Sequence, residues 1–205
     1  MNNDHSALLE LYRRVRETKG IKRAFIGSGI RYDLFDESEY FETVVKHHTS
    51  GRLKVAPEHT EDHVLNLMRK PSFTMFERLN SRFHQICRRN ELKYQLIPYF
   101  ISSHPGCTER DMQNLASKVL GKLNFNLEQV QDLTPTPMTL SSVMFYMGEN
   151  PYTGEKVYVA RSQDDKRKQK SYFFGGKLPE AQPSQRGARR GEAHGRGDKR
   201  YGKKR

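Results

Sequence analysis

The 205-residue chain has no tryptophan and only two cysteines. Cys87 and Cys107 by themselves make neither a disulfide framework nor a four-thiolate metal site, and a reducing, cytoplasmic setting is the expectation. Long apolar runs are also missing. Only 35% of residues are hydrophobic, 29% are charged, and the mean hydropathy is -0.88. No stretch approaches the roughly 20 apolar residues that span a bilayer. Pro98, Pro105, Pro135 and Pro137 break the longest uncharged runs, so no membrane partner is expected. Residues 1–18 mix charged and apolar side chains without a continuous apolar stretch, which does not read as a secretory signal. The sequence contains no phosphate-binding P-loop, no nucleophile elbow and no HExxH.

Charge is present but unevenly placed. Residues 166–205 hold 14 Lys and Arg against 3 Asp and Glu, so they carry eleven of the chain's net +12 charges. The rest is a nearly neutral body. Residues 175–205 are rich in Gly, Arg and Lys, with Leu178 and Tyr201 as their sizeable apolar groups. Such a segment buries too little surface to offset its ordering entropy, and disorder is expected. Its Arg-Gly steps suit RNA or other polyanions through phosphate contacts and base stacking, or serve only as a solubilising tail.

The body alternates between two periodicities. Leu8, Leu9, Tyr12 and Val15 recur at helical spacing after Asp4 or Ser6, and Tyr40, Phe41, Val44, Val45 and His48 do so after Asp36 or Ser38. Thr60 is placed to open a helix with Glu61 and Asp62 near its positive end; Ser72 caps the next; Thr108 and Asp111 form a capping box. Between these helices lie short apolar runs at residues 21–26, 53–55, 94–101 and about 127–133. Four strands with helical crossovers predict an α/β fold with a parallel sheet.

Each run leads into a polar or Gly/Pro-rich loop, and ligands of parallel α/β folds sit beyond the carboxyl ends of strands. Four such loops would share one face. Four parallel strands leave two open edges whereas eight close a barrel, so the chain reads as the later half of a barrel that needs a first half, in cis or in trans.

Several residues admit two readings. Gly27-Ser28-Gly29 brings amides near an anion or simply turns the chain. Arg31 clamps a carboxylate or pairs with Asp33 or Asp36. Lys54 faces a barrel interior and its ligand, or solvent. Glu58 and His59 form an acid/base pair or precede and cap a helix. His104 and Cys107 lack further ligands at metal spacing, which favours a tight turn. Cys87 follows Phe83 at i+4 on an apolar face and reads as core.

The stretch 52–60 (RLKVAPEHT), followed by Val64, Leu65 and residues 68–71 (MRKP), resembles the YgiQ-type radical SAM proteins. So do residues 28–34 (SGIRYDL), 94–106 (YQLIPYFISSHPG), 129–132, 134–139 (TPTPMT) and 155–159. The resemblance covers roughly residues 4–174. It implies the C-terminal half of a radical SAM-type (β/α) barrel at 1–148, a family C-terminal extension at 149–174 and the basic tail at 175–205. It also implies S-adenosylmethionine and a 4Fe–4S cluster as cofactors of the complete protein. The family's CxxxCxxC motif does not occur here, so this chain alone is expected to hold no cluster and to be inactive. A separate N-terminal half carrying that motif is the implied partner. By the same resemblance Ser28 and Arg31 look like contacts to the ribose and methionyl end of the cofactor. Lys54, Glu58 and His59 look like cofactor or substrate contacts, and Ile101, His104 and Gly106 lie where the backbone passes adenine. Two other readings stand beside this one: an RNA-binding protein acting through its tail, and a pseudoenzyme that binds S-adenosylmethionine without cleaving it. The substrate is not legible.

Overall fold

A computed structural model describes residues 4–34, 39–123, 125, 127 and 130–173. The readings placed on Asp36 and Ser38, on part of the fourth strand and on the basic tail lie outside them. Three parallel strands, β1 (Arg52–Glu58), β2 (Gln95–Ser102) and β3 (Val130–Asp132), pair in sequential order. Helices α1 (Ser6–Glu17) and α2 (Glu39–His47) precede the sheet. Helices α3 (Asp62–Leu67) and α4 (Phe73–Arg89) link β1 to β2, and α5 (Glu109–Ala116) with a following π-helical turn (Ser117–Lys122) links β2 to β3. Helices α6 (Leu140–Met147) and α7 (Gln163–Ser171) complete the body.

Sequential parallel strands joined by right-handed crossovers put every crossover helix on the same face. Burial follows that rule. Leu53 and Val55 of β1, Leu96 and Phe100 of β2 and Val130 of β3 enter one core with Phe41, Phe76, Phe83, Met112 and Leu115. The alternate positions Lys54, Ile97, Tyr99, Ile101 and Gln131 share the other face and stay exposed or half-buried. Those positions are less buried than the core-facing ones. Among the described residues the sheet has three strands and does not close on itself.

Local signals hold well. Ser72 accepts from the Thr74 N–H at the start of α4. Thr108 and Asp111 form the reciprocal capping box of α5. Two expectations are corrected. The run at 21–26 is not a strand: Ile26 donates its N–H to His48 O, and pairing with β1 is reduced to one parallel bridge between Ile30 and Val55. Ile21 and Phe25 remain exposed, so alternation there has no second layer to bury against and no continuous ladder to lock it. Thr60 does not cap α3. Glu61 occupies the cap position and makes no side-chain cap bond, and its own N–H donates to His59 Nδ1.

Candidate functional site at the carboxyl ends of the strands

The loops after β1, β2 and β3 lie along one rim of the sheet, and two clusters form there. The first is built on Glu58. Here the chain makes a γ-turn of the rare positive-φ kind: Glu58 has φ 66° and the His59 N–H returns to Pro57 O at 2.8 Å. The register of β1 on β2 shifts between Val55 and Glu58. Glu58 is buried; its Oε1 lies 3.2 Å from Lys70 Nζ, and its buried Oε2 has no hydrogen-bond partner. Burial raises its pKa, and the opposing Lys70 charge does not cancel that rise.

The Ile30–Val55 bridge seats residues 30–34 on the same end of β1. Buried Tyr32 packs edge-on against Phe76 at 6.3 Å, and burial, with the Asp33 and Glu58 charges, pushes its hydroxyl up to about 12. Arg31 forks onto Asp33 through both carboxylate oxygens, holding that carboxyl below its ordinary range. On the face opposite the core Tyr99 donates its hydroxyl to Gln131 Oε1, and its own pKa is raised by burial and by Glu58.

The second cluster is a closed network around the loop after β2. Ser103 also takes a positive φ, 60°, and its N–H donates to Gln169 Oε1 at 2.8 Å. Gln169 Nε2 donates in turn to Cys107 O at 2.9 Å. His59 accepts the Glu61 N–H at Nδ1, so its proton sits on Nε2, 3.4 Å from Cys107 Sγ. Burial lowers the His59 pKa to about 3 and drives the Cys107 thiol far above its ordinary value. This pair is neutral imidazole against protonated thiol, not a nucleophile with its base. His104 donates Nδ1–H to Pro105 O at 2.7 Å and accepts the Ser141 hydroxyl at Nε2, also at 2.7 Å. Burial brings its pKa to about 4. Asp132, at the end of β3, accepts from Ser102 Oγ and from Lys170 Nζ.

The residues singled out in sequence therefore divide. Ser28, Arg31 and Lys54 are exposed, Ile101 is half-buried on the face opposite the core, and Glu58 stands at the rim with an unused oxygen. His59 and His104 are buried with protein partners on both ring nitrogens. Gly106 has φ 86°, and a Cβ on it would meet Leu67 Cδ1 at 2.3 Å, so packing against α3 already requires glycine there.

Lys70, Tyr32, Tyr99 and Asp132 lie within the resembling stretches without standing out as site residues, and Gln169 lies outside those stretches; the partners that define them are distant in sequence. Glu61, His63 and Asp111 bring one potential metal-ligand atom each within 4.8 Å of the others, while Asp111 Oδ2 already accepts the Thr108 N–H and hydroxyl.

The iron–sulfur cluster implied by the resemblance does not fit these residues. It needs three thiolates. Cys87 is buried in the core from α4, Cys107 is held as a buried thiol, and the sequence has no third cysteine.

Fold and rim thus define an α/β protein with a three-stranded parallel sheet and a polar rim at the strand ends. The chain is 50% identical over 185 residues to a UPF0313 protein of Bacteroides thetaiotaomicron, covering 85% of this chain. It is 50% identical over 192 residues to one of Porphyromonas gingivalis and 46% over 168 to one of Methanocella arvoryzae. Its homologues across most of its length are therefore UPF0313 proteins, the YgiQ-type family, and the relationship read from the motifs holds at that level. The matches span 30% of the Bacteroides and Porphyromonas relatives and 28% of the Methanocella one.

Residues 128–198 match a family model described as a domain of unknown function, DUF3362. That segment contributes β3 to the sheet and α6 and α7 to the rim. Through Gln169 and Lys170 it is bonded to the loop after β2 and to Asp132.

No helix among the described residues is long and apolar enough to cross a membrane.

Proposed function

We propose that this chain forms the later wall of a YgiQ-type radical S-adenosylmethionine barrel and supplies part of the rim that holds the cofactor. The observation that carries the reading is the asymmetric sheet: sequential parallel strands with the buried core on one face, and the less buried Lys54, Tyr99, Ile101 and Gln131 on the other. In a closed barrel that face is the lumen. In this reading Ser28, Lys54, Glu58 and Ile101 meet S-adenosylmethionine, while Arg31 is held by Asp33. His59, His104 and Gly106 support the rim from behind. The bound cofactor would supply the sulfonium whose reductive cleavage starts the chemistry. The electron source must be ligated by cysteines that this sequence does not contain, and the partner is the part of the protein that carries them.

The test is to express the remaining part of the Bacteroides relative separately, mix it with this chain, and reconstitute both anaerobically with iron and sulfide. The chain alone should acquire no cluster chromophore, whereas the mixture should co-elute and bind S-adenosylmethionine. A cluster on the chain alone, or no association, overturns the reading.

The charge of residues 166–205 favours a second activity, binding of RNA through the tail. Affinity for an RNA oligonucleotide should fall steeply with salt and vanish on deleting residues 175–205; unchanged binding after deletion refutes it.

A further inference from the structure

Glu61, His63 and Asp111 come to one spot from two different helices. Glu61 precedes α3, His63 lies in its first turn, and Asp111 lies in the first turn of α5, 48 residues after His63. One donor atom from each lies within 4.8 Å of the other two. His63 Nε2 stands 3.3 Å from Asp111 Oδ2. Two ligands bound about 2.1 Å from one tetrahedral ion are about 3.4 Å apart, so this edge already has the spacing of a coordination shell. Half-buried Glu61 reaches the third corner by a side-chain shift of about 1 Å.

The charges at this spot do not balance. Among the described residues the Asp111 carboxylate is ion-paired with His63, which is cationic only when protonated, and with no lysine or arginine. Glu61 Oε1 receives the Thr60 hydroxyl at 3.3 Å and no cation. The surplus is felt nearby: after burial itself, the Asp111 and Glu61 charges help raise the Cys107 thiol. The capping box accounts for Asp111, whose Oδ2 accepts the Thr108 N–H and hydroxyl, but not for the convergence of Glu61 and His63 on it. It also fixes the Asp111 carboxylate, as the bond from the Glu61 N–H to His59 Nδ1 fixes the Glu61 backbone. Metal ligands are commonly held in place by such outer hydrogen bonds.

We propose that Glu61, His63 and Asp111 bind a divalent first-row transition ion of the zinc class, which ties the start of α3 to the start of α5. Two carboxylates match the charge of the ion. The imidazole selects against magnesium and calcium, which take oxygen ligands. His63 presents its Nε2 lone pair and keeps its ring proton on Nδ1. Its side chain is 57% exposed, so the remaining coordination position is open to water. Cys107 is not a ligand, because it is held as a buried thiol against His59 and Gln169. The site is built on the crossover helices from residues that the S-adenosylmethionine reading does not use, and it does not rest on that reading.

The experiment uses the untagged 205-residue chain, freed of metal by a chelator and dialysis. Calorimetric titration with Zn²⁺ should show one ion per chain, bound at least tenfold more weakly by H63A and by E61Q. H84A, which removes an exposed histidine on α4, should bind as the wild type does. Co²⁺ should give a visible absorption band that H63A loses, and excess Mg²⁺ should not compete. Excess Zn²⁺ should raise the Tm of the wild type and leave that of H63A unmoved. Both substitutions are away from the core and spare the capping box, and circular dichroism of the metal-free variants checks that they fold. Zinc binding that is absent, that survives H63A and E61Q, or that falls as much in H84A as in H63A overturns the proposal.

Discussion

Replacing Gln169 with alanine should loosen the whole rim. Gln169 lies on α7, is 1% exposed, and bridges two buried backbone groups, the N–H of Ser103 and the C=O of Cys107. Alanine removes both partners and offers none. A buried backbone group left unpaired costs about 1–3 kcal/mol. Two such groups, partly relieved by water entering the vacated volume, bring the expected loss to about 2–4 kcal/mol. That is a large share of the ~5–15 kcal/mol that holds a typical domain. With a urea dependence of about 1–3 kcal/mol per molar, the midpoint should move down by about 1–2 M.

Urea unfolding followed by circular dichroism measures the loss, and amide hydrogen exchange locates it. The Ser103 amide should lose protection well beyond the global change. Q169E separates the two bonds, since it keeps an acceptor for Ser103 but cannot donate to Cys107 O and adds a buried charge; it should be at least as damaging as Q169A. A midpoint change worth under about 0.5 kcal/mol, or an unaltered Ser103 amide, would refute the claim that α7 pins this loop.

Stability should also depend on pH through His59 and His104. Their folded pKa values, about 3 and about 4, lie below the ordinary value of 6.5, so unfolding takes up protons. Their stabilising contribution is complete above about pH 6.5 and declines as pH falls toward 4 and then 3, by up to ~1.4 kcal/mol per pH unit for each. Glu58, with its raised pKa, opposes this by at most one proton. Urea melts between pH 6.5 and 5 should show the slope, and H104Q should reduce it by one proton; a flat profile contradicts the burial argument. Gly106→Ala forces a side chain into a φ of 86° and onto Leu67, and should cost about 2–4 kcal/mol in the same assay; a neutral variant would show that the loop relaxes freely. Both thiols should resist a soluble disulfide reagent in the native state and react together on unfolding, since Cys87 and Cys107 are buried and burial raises both pKa values; fast native labelling of Cys107 would contradict the His59–Cys107 assignment.

Where sequence alone was a sufficient guide, the deciding interaction was short-range. The Thr108–Asp111 box and the Ser72 cap need only two or three residues, and both formed as read. The runs that became β1 and β2 carry their alternation in consecutive residues. The run at 21–26 had similar composition but failed, because a strand is made by its ladder and its second layer, neither of which is local.

The same distinction runs through the candidate site. That the strand-end loops share a rim follows from parallel α/β topology and was legible from the order of elements. Which side chains remain usable on that rim was not. His59 is engaged by Cys107, 48 residues away, and Cys107 by Gln169, 62 residues away. Arg31 and Glu58 each admit two readings in sequence, and folding separates them: the arginine pairs with Asp33, while the carboxylate keeps a buried oxygen without a hydrogen-bond partner.

Composition and order thus determined the class of the molecule, its uneven charge and the absence of thiols sufficient for a cluster. Only the tertiary structure decided which polar groups are spent on holding the rim together and which are left over. Burial removes water as the universal partner, so each polar atom must be paired by chain brought from a distance, and that pairing exists only once the chain has folded.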